Sequence, residues 1–106
     1  MKFDVFVTYD LRQSNPQRSQ RVKKGLEKQG WSSTLEGAVA NGNDVELPFN
    51  TFHKKITGKD GAMVIQRASD SVKCAFEEDK ASGPFLISVP GSNGGWFKGY
   101  VDASPV

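Results

Sequence analysis

A single cysteine, Cys74, excludes an internal disulfide and a cysteine-rich zinc site. A single histidine, His53, leaves a thin set of groups for acid–base chemistry. No apolar run approaches the length needed to span a membrane. Met1-Lys2 runs straight into a predicted strand, so no signal peptide is expected there. The expected setting is therefore cytoplasmic, with no membrane partner. The net charge of +2 is too small to announce nucleic-acid binding. What remains is an ordinary globular composition. A chain of 106 residues makes one domain, expected over residues 1–102, with a loose tail at 103–106.

The distribution of charge says more than its total. Residues 1–59 hold ten Lys or Arg against six Asp or Glu, a balance of +4. Residues 60–106 hold four against six, a balance of −2. The positive half contains the first predicted helix. A local patch of this kind steers a polyanion better than a diffuse excess does.

Phe3 to Tyr9 alternates as a buried strand, with Phe3, Val5, Val7 and Tyr9 on one side. Asp4, Phe6, Thr8 and Asp10 take the other side. Bulk on both sides predicts a central strand. Asn15 and Pro16 suit the N-cap and first position of a helix, and Gly30 suits the residue just past its end. Ser19, Val22 and Leu26 form its apolar stripe, while Arg18, Arg21, Lys24 and Lys28 project from roughly the opposite face. Strands are expected near 31–36, 47–56 and 85–90, with Pro48 pointing to an edge position, a bulge or a start nearer Phe49 in the second of these. The segment 37–44 reads as a loop. Residues 62–65 could make a short strand, but a second helix near 62–80 is preferred, its apolar arc made by Val64, Ile65, Ala68, Val72, Ala75 and Phe76. Gly83-Pro84 is expected to stop it. A fifth strand is expected at 96–101, after a glycine-rich turn at 90–95.

The predicted order is β-α-β-β-α-β with an extra C-terminal strand. That is an α+β sandwich of the ferredoxin-like kind, two helices on one face of an antiparallel sheet. The topology hosts many unrelated functions and decides none of them.

The stretch Phe6-Val7-Thr8-Tyr9-Asp10-Leu11, a polar turn, a basic helix and Gly30-Trp31 resemble the start of the small subunit of the CRISPR spacer-acquisition complex. Virulence-associated ribonucleases and the ribonuclease antitoxins of type V toxin–antitoxin pairs are similar. Glu46 to Phe52, a helix, and Phe85 to Val89 follow in the same order. Motif-level similarity covers about thirty residues at the start. The segments 37–44 and 90–95 depart from the pattern. The resemblance implies a homodimer in which Asp10 of both copies binds a divalent metal and makes the catalytic site. Hard oxygen ligands suit Mg2+, which would orient water and stabilise phosphoryl charge. The plainer reading of Asp10 is a polar residue closing a strand.

Arg12, Arg18, Arg21, Lys24 and Lys28 are the candidate contacts to RNA or DNA phosphates, weighed against a merely solvated helix face. His53 beside Lys54 and Lys55 has the chemistry of a general base for RNA cleavage, against the simpler reading of an exposed strand histidine. Trp96 and Tyr100, with Lys98 between them, offer faces on which bases stack; pairing of this strand in a homodimer is the favoured reading. Cys74 reads as structural or incidental. The glycines of 90–95 are no phosphate loop, because no Gly-Lys-Ser/Thr and no helix follow. Two functions are thus expected: a metal-dependent endoribonuclease acting as a dimer, or a non-enzymatic module that binds a nucleic acid or a protein partner and blocks it, as a phage counter-defence factor would.

Overall fold

Asn15 and Asp60 both stand in extended backbone and turn their side chains onto a helix start. Asn15 Oδ1 accepts from the Arg18 N–H at 2.8 Å, and Asp60 Oδ1 accepts from the Met63 N–H at 2.9 Å. Each satisfies a donor that the first helical turn leaves without a partner, worth about 1 kcal/mol. Helix α1 (Pro16–Lys28) and helix α2 (Gly61–Glu78) begin there. In this computed structural model the described residues are 2–12, 15–35, 45–47, 50–91 and 95–102. The expected loop at 37–44, Pro48, residues 92–94 of the glycine-rich turn and the tail at 103–106 lie outside them.

The strands are β1 (Lys2–Tyr9), β2 (Thr34–Leu35), β3 (Val45–Glu46), β4 (Thr51–Thr57), β5 (Ser82–Val89) and β6 (Gly95–Asp102). Four of them form one sheet in the order β4-β1-β5-β6, antiparallel throughout. β1 is central, as its two-sided bulk predicted. β2 and β3 pair with each other as a separate short ribbon. The fold is α+β, a four-stranded antiparallel sheet with two helices.

The core lies on one side of this sheet. Phe3, Val5, Val7 and Tyr9 of β1 are buried with Phe52 and Ile56, and with Phe85, Ile87 and Val89. Val22 and Leu26 of α1 and Val64, Ala68, Val72, Ala75 and Phe76 of α2 close over them. The Phe76 ring meets Tyr9 edge-on, centroids 5.4 Å apart, and Phe85 at 6.4 Å. Each large apolar side chain removed from water contributes about 1.5–3 kcal/mol. Gly25, absent from the predicted stripe, is buried where α1 meets Ala75 of α2.

Three expectations need correction. The run 47–56 gives way to the later start that Pro48 left open: β4 begins at Thr51, after Asn50, which sits in left-handed backbone at φ 58°. Of the stretch 31–36, residues 31–35 are described, and only Thr34–Leu35 is strand. Ser32 Oγ accepts from the Thr34 N–H at 3.1 Å, a local turn that competes with a ladder. Ser32 still exchanges two 2.8 Å backbone hydrogen bonds with His53, so this segment touches the free edge of β4 at one point. Gly83-Pro84 does not stop α2. The helix ends at Glu78, Lys80 turns the chain at φ 53°, and Gly83 and Pro84 lie inside β5.

Candidate functional site: the open face of the sheet

The helices cover only one face of the sheet. Residues of the opposite parity in β1 — Lys2, Asp4, Phe6 and Thr8 — alternate with the buried ones and are exposed or half-buried. Strand register decides what stands beside them. Phe6 lies opposite His53 on one side and Ser88 on the other, and Ser88 lies opposite Trp96. The row His53–Phe6–Ser88–Trp96 therefore crosses all four strands, a span of about 14 Å at the usual strand spacing. The next row is Thr51–Thr8–Leu86–Lys98, and Pro84–Tyr100 follows.

This face combines apolar rings with positive charge. Trp96 is 67% exposed and Tyr100 56%, large values for such side chains. Lys98 stands between them on β6. Lys55 of β4, two positions beyond His53, is opposite Asp4. Asp4 is engaged: its Oδ1 lies 2.8 Å from His53 Nε2. The Phe6 ring packs on the imidazole with centroids 4.9 Å apart.

Asp10 follows β1 and is exposed. Its backbone N–H donates to the Pro84 carbonyl at 3.1 Å, and its own carbonyl lies so close to Gly83 that a Cβ there would stand 1.9 Å away. Its position is thus fixed by the main chain. Among the described residues no three His, Cys, Asp or Glu side chains group to hold a metal ion. One Asp10 is a single hard ligand, and the Mg2+ site implied by the resemblance needs ligands from a second copy.

The basic candidates lie elsewhere. Arg12 is exposed, its N–H bonded to the Ser82 carbonyl at 2.8 Å. Arg18 is half-buried on α1, with Nε enclosed and without a hydrogen-bond partner among the described residues. Arg21 is 3.8 Å from Asp79 of the segment after α2, which offsets part of its charge. Lys24 and Lys28 are exposed. These α1 residues belong to the helix layer, on the side away from the open sheet face. Cys74, read as structural or incidental, is exposed and accepts from Gln29 Nε2 at 3.4 Å.

Sequence reasoning singled out His53, Trp96 and Tyr100 but not Asp4 or Phe6 as their neighbours. Alternation in β1 puts Asp4 and Phe6 on one side; only the register brings them to His53. No family model, curated protein or solved structure matches the chain.

Proposed function

We propose that the chain binds single-stranded nucleic acid across the open face of its sheet. The carrying observation is the pair of exposed rings, Trp96 and Tyr100, on either side of Lys98 in a face that neither α1 nor α2 covers. Every base has a π face, and base–aromatic stacking is worth about 1–3 kcal/mol per base. Four-stranded sheets carrying aromatic residues bind two or three splayed bases in this way. Lys2, Lys55 and Lys98 supply cations for the backbone beside the stacked bases. A duplex hides its base faces, so the preference is for single strands.

The same reading takes the fold as ferredoxin-like. In it, the segment at Ser32 supports the place of the strand beside β4, and β6 is an addition beyond β5. β6 brings both exposed rings, so the addition carries the function.

Fluorescence anisotropy with a labelled single-stranded oligonucleotide tests the proposal, with its duplex as control. Replacing Trp96 and Tyr100 together by Ala should weaken binding by about tenfold or more. Quenching of tryptophan emission should accompany binding by the wild type. Unchanged affinity in the double variant would move the site to the basic face of α1.

A further inference from the structure

His53 and Asp4 form a second feature of the open face. Their 2.8 Å contact spans two strands and 49 residues of sequence. The imidazole is mostly enclosed, its side chain 11% exposed, whereas the Asp4 carboxylate is 55% exposed. Phe6, opposite His53 in the ladder, lies against the ring. One contact fixes a ring nitrogen and the other fixes the ring plane. A carboxylate on one imidazole nitrogen selects the tautomer and stabilises the imidazolium that forms when the other nitrogen takes a proton.

Around the pair stand the parts of a reaction site. Phe6 is the neighbour of His53 in this row, so a base stacked on Phe6 brings its ribose and phosphate to the imidazole, while Trp96, about 14 Å along the row, takes a further base. Lys55, opposite Asp4, sets a cation beside them.

We infer that His53, oriented by Asp4, is a general base that cleaves single-stranded RNA on this face without metal. The inference rests on the binding reading above and narrows its ligand to RNA, because the reaction needs a 2′-hydroxyl. Asp4 holds Nε2, and Nδ1 of His53 takes the proton of the 2′-hydroxyl. The 2′-oxygen forms a bond to the adjacent phosphorus as the bond from phosphorus to the 5′-oxygen breaks. The leaving 5′-oxygen receives its proton from water. The products are a 2′,3′-cyclic phosphate and a 5′-hydroxyl end, and His53 returns its proton to solvent. The Lys55 ammonium offsets charge that develops on the phosphoryl oxygens. Asp4 is a positioning residue; His53 touches the reacting proton.

The experiment is incubation of the full chain with end-labelled single-stranded RNA in EDTA, alongside binding to the 2′-deoxy oligonucleotide of the same sequence. Cleavage with cyclic-phosphate ends is expected, and the deoxy strand should be bound but not cut. His53→Gln should lose about a hundredfold or more in kcat while its affinity for the deoxy strand stays unchanged. Free imidazole should restore part of the rate to His53→Ala. Asp4→Asn should lower kcat without raising KM. A wild type that binds the deoxy strand yet leaves RNA intact in EDTA overturns the inference and spares the binding reading. Equal cleavage by His53→Gln does the same. A wild type that binds neither strand overturns both.

Discussion

The ring of Phe85 occupies the space where a side chain on Gly99 would stand. The two residues are opposite each other in the β5–β6 ladder, and a Cβ on Gly99 would lie 2.3 Å from Phe85 Cζ. Phe85 is itself held against Phe76 and Phe97, so its ring cannot simply swing aside. Gly99→Ala should therefore destabilise by about 1–3 kcal/mol, the usual cost of overpacking. Urea unfolding should show a lower midpoint with an unchanged slope. A wild-type midpoint would mean that Phe85 does not sit under β6.

Gly25 presents the opposite case. It lies inside α1, and an added Cβ would meet Ala75 Cβ at 3.6 Å, an ordinary van der Waals contact. Glycine in a helix interior costs about 0.8–1.0 kcal/mol relative to alanine. Gly25→Ala should raise the melting temperature. A fall would show that the two helices approach more closely than this spacing.

Tyr9 gives the chain a pH dependence. Burial pushes its phenol up from 10.0 to about 12, because the charged phenolate is disfavoured away from water. A group whose folded pKa is raised contributes stability that is complete below its unfolded value and lost as pH climbs through the folded one. The window is therefore from about 10 to about 12, and the contribution is roughly 3 kcal/mol. Melting temperature should fall across that window in the wild type. Tyr9→Phe should fall less, since the buried phenol is gone. Identical alkaline profiles would remove Tyr9 as the cause.

Local signals and long-range ones were unequally legible in the chain. The start of α1 is written in Asn15-Pro16 and appears where the sequence puts it, whereas α2, expected near 62, begins at Gly61 behind Asp60, a cap the sequence reading did not single out. The end of α2 was misplaced because Pro84 is a stronger written signal than Lys80, yet Lys80 takes the left-handed turn. Asn50 broke the run 47–56 in the same way. Alternation alone made Trp96, Lys98 and Tyr100 neighbours on one side of a strand. Their relation to Phe6, and the approach of Asp4 to His53, depend on pairing between strands far apart in sequence. No local pattern encodes that register.

The basic residues of α1 and the open sheet face predict different salt behaviour. Replacing Arg21, Lys24 and Lys28 by Glu alters the field at a face on the far side of the helix layer. Such an effect is long-range, and it is largely screened beyond about 8 Å at physiological ionic strength. The triple variant should lose affinity for a single strand at low salt and regain most of the wild-type value as salt rises. The Trp96 and Tyr100 double variant should stay weak throughout, because stacking is not screened. A triple variant that remains weak at high salt would place direct phosphate contacts on α1, as the basic helix was first expected to provide.

Asp10 separates the metal-dependent expectation from the sheet-face mechanism. Its side chain is exposed, and its position depends on backbone contacts with Pro84 and Gly83 that any residue retains. Asp10→Asn keeps size and hydrogen-bonding atoms but removes the charge that holds a hard cation. Stability should stay within about 0.5 kcal/mol of the wild type. Cleavage in EDTA should be unchanged, since His53 and Asp4 do not involve Asp10. Magnesium provides the second arm. A rate that rises with Mg2+ in the wild type, and not in Asp10→Asn, would assign Asp10 a metal-binding role as well. Because no three candidate ligands group there among the described residues of one copy, that role calls for two Asp10 side chains brought together, and sedimentation with and without Mg2+ reads the homodimer directly. Loss of the EDTA rate in Asp10→Asn, with binding and melting unchanged, would shift the chemistry from His53 to the end of β1.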